Sequence, residues 1–288
     1  MINSIAIVGG THGNETSGIQ LVRNWMQNGI PSAFSSLNIR CFFANHAAMQ
    51  ANVRFLDEDL NRQFLPERLN SDSDAKEAIL AKKINQELGP KGESNTDLVI
   101  DIHNTTSHMG ATLIILATDD FHIQMARYVK QHMPEANILV EDEKPVPEHP
   151  YLCTIGRRGV MVEVGAQPQG VLREDVYQLT QTLTETLLAF CQAYNDGETQ
   201  NLPECEAFRL GVNIGFPMNE DGERKAMIHH QLQDADFVPL LPGQPIFRCF
   251  DGTDITWQGE DVTYPHFINE AAYHKLHVAF ATASLVTL

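Results

Sequence analysis

No apolar run in this sequence approaches the ~18 residues that a membrane span needs. The first residues lack the basic and apolar regions of a secretory leader, because a β-branched strand begins almost at once, so a cytoplasmic protein is expected. Basic residues are scarce. Twenty Lys and Arg against 37 Asp and Glu leave a formal charge of −17, which argues against a nucleic-acid or anionic-membrane partner. An anionic substrate would need locally placed arginines. The five cysteines (Cys41, Cys153, Cys191, Cys205, Cys249) are scattered, odd in number and without CxxC spacing, as suits free thiols in a reducing compartment. There is no GxGxxG and no G-K-[ST], so a nucleotide site is not expected. No internal repeat or low-complexity segment stands out. What remains is ordinary globular composition, 43% hydrophobic and 20% charged over 288 residues, enough for one large domain or two.

The first half alternates strand and helix signals. Strands are expected at Ile5–Val8, Leu37–Phe43, Leu98–Ile102, Ala111–Ala117, Asn137–Val140 and Val160–Val164. Helical spacing follows the first strand and recurs over Asp74–Leu88, Phe121–His132 and the stretch from Val176 to Cys191. Residues Asn45–Arg68 have no clean periodicity and read as a long functional loop with short helical turns. Glu141–Pro150, rich in Pro and acidic residues, reads as a surface loop. After the polar linker Asn195–Gln200, helical periodicity gives way to short alternating runs and turn signals. The expectation is an α/β protein with a mainly parallel sheet flanked by helices over residues 1–200 and a smaller β-rich domain over 201–288.

The stretch Ile5–Glu15, IAIVGGTHGNE, is the centre of the reading. It places His12 and Glu15 between a strand end and a helix start, where open α/β sheets put ligands and chemistry. An imidazole and a carboxylate at this spacing can share a zinc ion if a third ligand arrives from elsewhere. On the spacing alone a capping role is the more ordinary reading, since Glu in a first turn offsets the helix dipole.

His103 ends the LVIDI strand, and Glu163 is embedded in VMVEVG. A carboxylate in a buried β-branched strand is costly unless it is paired, at a metal or facing a site. Asp101 alternates with His103 and reads either as an ordinary strand-end carboxylate or as the group that orients a metal-bound imidazole.

The blocks GGTHGNE, RFLDEDLNR, DIHNTTSHMGATLI, VEVGAQPQGVLR and YPHFINEAAY, in order from residue 5 to about 273, together resemble the aspartoacylase family. These are zinc-dependent N-acyl-amino-acid deacylases related in fold to zinc carboxypeptidases and succinylglutamate desuccinylases. The resemblance implies one zinc per subunit on His12, Glu15 and His103, with the fourth position open to water. It implies Glu163 as general base and then acid, and Arg54 as the cation that polarises the scissile carbonyl. Asn61 and Arg62 would hold a substrate carboxylate, with Tyr273 reaching in from the β-rich domain. Surface ion pairs with Asp57, Glu58, Asp59 and Glu67 are an equally good account of Arg54 and Arg62 taken alone.

The implied reaction is hydrolysis of an N-acyl-amino acid, with N-acetyl-L-aspartate as first choice. The alternatives are a deacylase of N-acetylated aromatic or S-conjugated amino acids, a desuccinylase, and a non-catalytic zinc-binding protein on the same fold. A homodimer is implied by the resemblance only. One departure bears on the substrate. Cys153 stands where aspartoacylases carry an arginine for the aspartate side chain, and Arg157 and Arg158 are the nearest replacements.

Overall fold

The computed structural model describes residues 1–288. Along the chain run β1 (Ser4–Gly9), α1 (Thr16–Asn28), β2 (Asn38–Phe43), α2 (His46–Ala51), α3 (Pro66–Leu69), α4 (Lys76–Leu88) and β3 (Leu98–Asn104). Then come β4 (Gly110–Ile115), α5 (Asp120–His132), β5 (Asn137–Val140), β6 (Arg158–Gly165) and α6 (Glu174–Asn195). The rest is β7 (Glu206–Gly215), β8 (Ala226–Ile228), β9 (Pro245–Cys249), β10 (Asp254–Thr256) and β11 (Val278–Thr287).

Eight strands form one sheet in the order β11-β7-β5-β4-β6-β3-β1-β2. β2, β1, β3 and β6 are parallel to one another, β4 is antiparallel to β6, and β5 and β7 run with β4. The chain leaves β1 for β2 on one side and returns to β3 on the other, so the carboxyl end of β1 is a topological switch point, where side chains can converge without a helix covering them.

The period-2 alternation of strand side chains divides the core. Ile5, Ile7, Ile100, Ile102, Val160, Val162 and Val164 pack under α1, α5 and α6 on one face. Ala6, Val8, Val99 and Met161 face the other way, against α4 and the segments carrying Leu60, Phe64 and Leu152. The apolar neighbours of Glu163 thus belong to the opposite face from Glu163 itself.

The β-rich character expected after residue 200 is present, but its two longest strands extend the main sheet. β7 and β11 pair with each other, and β7 joins β5, while only β8, β9 and β10 form a separate antiparallel sheet. Phe216, Ile246, Phe247, Ile268 and Phe280 fill a third core between the two sheets. The stretch 141–150 is a surface loop over most of its length, with Glu141 (6% exposed) and His149 (fully buried) turned inward. No helix is long and apolar enough to cross a membrane. All five cysteines are free.

Candidate active site

β1 stops at Gly9–Gly10, and the turn that follows is pressed onto α2. A Cβ at Gly13 would lie 2.0 Å from the carbonyl carbon of Ala48, so only glycine fits there. The same turn is fixed by Gly13 N–H donating to the Arg54 carbonyl at 3.2 Å and Glu15 N–H to the His12 carbonyl at 3.3 Å. Glu15 occupies the N-cap position of α1, yet its side chain makes no capping hydrogen bond. Its two oxygens instead face His12 Nδ1 at 2.7 Å and His103 Nδ1 at 2.8 Å. The capping reading of HxxE is thereby excluded.

His12 Nδ1 and His103 Nδ1 are themselves 3.2 Å apart, and all three residues are buried. Adjacent ligands of a tetrahedral zinc at ~2.0–2.1 Å are separated by roughly 3.3 Å. The donor set therefore fits a small divalent cation: two imidazole nitrogens and one carboxylate converge, and a fourth direction opens into a cleft. The far side of each imidazole is held as well. His12 Nε2–H donates to Asp59 Oδ1 at 2.9 Å, and His103 Nε2–H to Asp101 Oδ2 at 2.9 Å. Asp101 also accepts from the Thr11 hydroxyl at 2.6 Å. Carboxylates on the outer nitrogens fix the tautomer that leaves both Nδ1 lone pairs pointing inward.

The electrostatics follow the same geometry. Burial pushes the Glu15 carboxyl up, but His12 and His103 more than offset it and hold it well below the usual carboxylate range. Burial opposes the ionised form of Asp59 too, and His12, Arg54 and Arg62 together hold its carboxyl well below that range. Burial raises the Glu163 carboxyl well above its ordinary value, with His103 acting in the opposite sense and Glu15 and Glu270 reinforcing the rise. Glu163 pairs with His103 in register across β3 and β6, so it stands beside the metal group on the cleft side.

Arg54 donates Nε–H to Asp59 at 3.1 Å and Nη1–H to Glu15 at 3.0 Å. It is part of the site and not of a surface ion pair. Arg62 has no carboxylate partner; its guanidinium donates to the Asn61 carbonyl at 2.9 Å and lies 5.3 Å from the centre of the Tyr151 ring. The Asn61 side-chain oxygen accepts from Leu152 N–H at 2.7 Å, which turns its amide group into the cleft as a donor. Tyr273 also lines the cleft, edge-on to Phe267.

The cleft brings His12, Glu15, His103, Glu163, Arg54, Asn61, Arg62 and Tyr273 together. The expectation for Arg157 and Arg158 fails. Arg157 donates to the Ser94 carbonyl and to Asp97, and Arg158 lies 4.6 Å from the Phe121 ring centre. Both lie at the amino end of β6, and Glu163 is at its other end. Cys153 is fully buried and does not line the cleft. None of His108, His122, His132, His229 or His230 lines it either.

Several contributors carry no sequence signal of their own. Glu77 accepts from Leu56, Asp57 and Glu58 N–H and from the Asn45 side chain, and so shapes the segment that carries Arg54 to Arg62. Glu270 accepts from the Thr105 and Thr106 hydroxyls and from Thr106 and Ala272 N–H, which ties the Tyr273 segment to the turn after His103. Glu141 and Tyr151 close the inner end of the cleft, in a region that reads as an ordinary Pro-rich loop.

Comparison with known proteins finds similarity along almost the whole chain. Residues 1–191 match the succinylglutamate desuccinylase/aspartoacylase catalytic domain, and residues 203–285 match the AstE/AspA barrel-sandwich hybrid domain. An aspartoacylase of Xenopus tropicalis is 41% identical over 100% of this chain and 94% of its own length. An N-acyl-aromatic-L-amino acid amidohydrolase (carboxylate-forming) of the same organism is also 41% identical, over 97% of this chain and 92% of its own. The crystal structure of murine aminoacylase 3 superposes with a TM-score of 0.92 at 37% identity, covering 100% of this chain and 96% of that one. The chain belongs to the succinylglutamate desuccinylase/aspartoacylase family of enzymes.

Proposed function

We propose that this enzyme hydrolyses the amide bond of N-acyl-amino acids, with one zinc ion held by His12, Glu15 and His103. The observation that carries the reading is the paired arrangement of Arg62, free of any carboxylate, beside the inward-facing Asn61 amide and a metal group with an open side. A planar guanidinium and an amide donor suit a substrate α-carboxylate. When bound, zinc supplies the Lewis acid that makes water nucleophilic at neutral pH and polarises the acyl carbonyl.

The chain's own groups do the rest. Asp59 and Asp101 hold the imidazoles in the tautomer a metal needs. Glu163, in register with His103 and on the cleft side of it, takes the proton of the attacking water and returns it to the leaving amine. Arg54, anchored through Glu15 and Asp59, places positive charge where the carbonyl oxygen becomes negative. Tyr273, whose hydroxyl has no partner in the protein, offers a further donor in the cleft. A non-catalytic metal binder would need neither Glu163 nor Arg54. The match of separate family models to 1–191 and 203–285 supports a division near residue 200, with the C-terminal part narrowing the channel.

The relatives do not separate the substrates, since proteins named for aspartate and for aromatic amino acids are equally similar. The cleft favours neutral side chains. Arg54 is committed to Glu15 and Asp59, and Arg62 to the α-carboxylate, while Ile114, Met161, Tyr151 and Phe267 supply apolar wall. N-acetyl-L-aspartate is the second reading, supported by the aspartoacylase relatives and by the motif blocks. The test is hydrolysis of a panel of N-acyl-amino acids and their α-carboxamides. The free acids should be cleaved and the amides slowed by ~10² or more, because losing the ion pair costs a few kcal/mol. Equal rates for acids and amides would remove the assignment of Asn61 and Arg62, and no cleavage of any would remove the function.

A further inference from the structure

Three buried glutamates outside the metal group and Glu163 lie in or beside the site, and two of them are saturated with hydrogen bonds. Glu77 accepts two donors on each oxygen. Glu270 accepts Ala272 N–H on Oε1 and the Thr105, Thr106 and Ser107 donors on Oε2. Glu141 is different. Only the Tyr151 hydroxyl reaches it, at 3.1 Å on Oε2, and Oε1 has no donor in the protein. A carboxyl kept for structure alone is normally satisfied on both oxygens when it is only 6% exposed.

The strand register shows where Glu141 lies relative to Glu163. Glu163 and Met161 share one face of β6 and stand opposite Thr112 and Ile114 of β4. Ile114 in turn pairs with Leu139 of β5, and Glu141 follows β5 directly, its N–H bonded to the Ile115 carbonyl. The cleft therefore descends from Glu163 over Met161 and Ile114 to Glu141 and Tyr151, with Arg62 leaning over the Tyr151 ring. A substrate with its scissile carbonyl at Glu163 and its α-carboxylate on Asn61 and Arg62 has one direction left for the amino-acid side chain, which is down this channel.

We infer that Glu141 is the specificity-determining residue of the enzyme: its carboxyl forms the floor of the side-chain pocket and selects neutral side chains over acidic ones. The inference rests on the deacylase reading above. An acidic side chain would bring a second carboxylate against Glu141, with Arg62 engaged by the α-carboxylate and Lys144 paired with Glu143 at 4.0 Å. A neutral one fills the Ile114 and Met161 walls and can offer a polar end to the free Oε1. Around Glu141 stand Tyr151 and Cys153 of the 151–155 turn, Arg62, Tyr273, and Glu143 and Lys144 of its own loop. Burial, reinforced by Glu143, outweighs Tyr151, Arg62 and Lys144 and pushes the carboxyl up to about 7. Below that value the floor is neutral, and above it the floor is anionic, so rejection of acidic side chains should sharpen as pH rises through neutrality.

The experiment measures kcat/KM for N-acetyl-aspartate and N-acetyl-phenylalanine in the zinc-loaded parent, in Glu141→Gln and in the charge-keeping Glu141→Asp. The readout is the aspartate-to-phenylalanine ratio, whichever way the absolute rates move. The expected result is a ratio that rises at least about tenfold in Glu141→Gln and stays within about threefold of the parent in Glu141→Asp. In the parent the ratio should fall between about pH 6 and pH 8, and in Glu141→Gln it should lose that fall. A parent that cleaves both substrates with a ratio unmoved by Glu141→Gln overturns the role of Glu141 and leaves the deacylase reading intact. A parent that cleaves neither overturns both. If Glu141→Gln is recovered unfolded, Glu141→Asp and the parent pH profile decide, and a ratio flat with pH overturns the role.

Discussion

Each imidazole of the candidate metal group is gripped on both nitrogens, and the outer grip comes from the carboxylates of Asp59 and Asp101. Asp101 is fully buried and bonded only to His103 and Thr11. Asp101→Asn keeps the shape but can turn an N–H₂ toward His103, so zinc affinity should fall by ~10–100-fold, read by competition with a chelator. Unchanged affinity would make Asp101 a strand-end carboxylate and nothing more. Glu163 separates chemistry from metal binding. Glu163→Gln should retain zinc and lose turnover by ~10² or more, which metal analysis and kcat together measure. Near-normal kcat in that variant would move the proton transfer to another group. His12, Glu15, His103 and Glu163 drew attention by standing after a strand end or inside an apolar strand, but the roles proposed for them came from the family resemblance of the surrounding blocks. Asp59 was not, because its partner lies 47 residues away and its neighbours look like a surface charge cluster.

At the scale of elements, the segment from Arg54 to Arg62 has almost no regular structure, only a 3-10 turn at Leu60–Arg62, yet it carries three of the proposed substrate groups. It is held from outside. Burial opposes the charge on Glu77, but the Leu56, Glu58 and Asp57 N–H groups and Asn45 more than compensate and keep the carboxyl below its ordinary value. A carboxyl lowered in the folded state contributes stability above its unfolded pKa and loses it as pH falls through the folded one. Glu77→Gln leaves at least one backbone N–H facing an amide N–H₂, at a cost of about 1–3 kcal/mol. The expected outcome is a lower denaturation midpoint together with a raised KM, since Arg54, Asn61 and Arg62 lose their frame. A variant with normal KM would mean that the segment holds its shape without Glu77. Gly13→Ala should be harsher, because the added Cβ meets α2 backbone, and loss of bound zinc is its readout. The glycine turn was visible in sequence. The role of Glu77 was not, since an i-to-i+19 contact leaves no periodic trace.

The main sheet of the whole molecule borrows its last strands from the chain's end, beside a small separate sheet of β8, β9 and β10. The alternation of β and α signals gave the parallel core, but the antiparallel β4 and the entry of β7 and β11 depend on distant pairings, out to Glu206 with Thr287, 81 residues apart (287 minus 206), which local patterns do not encode. His266 marks this junction. It is fully buried, stacks on Phe237 with ring planes 3° apart, and neither ring nitrogen has a partner in the protein. Burial lowers its pKa to about 4. The unfolded chain therefore binds the proton more readily between about pH 6.5 and 4, and this residue's contribution to stability is lost as pH falls through that window. His266→Phe should lose less stability than the parent between pH 7.5 and pH 5, as denaturant titrations at the two values would show. An identical loss in both would assign the acid sensitivity elsewhere.

A zinc ion on His12, Glu15 and His103 is proposed at the switch point of this sheet. The most direct test is zinc content per chain, by inorganic mass spectrometry after chelation and reloading, in the parent and in a folded His103→Ala. One zinc in the parent and less than about a tenth of that in the variant is the predicted result. Full zinc in His103→Ala, or none in the parent, would contradict the account.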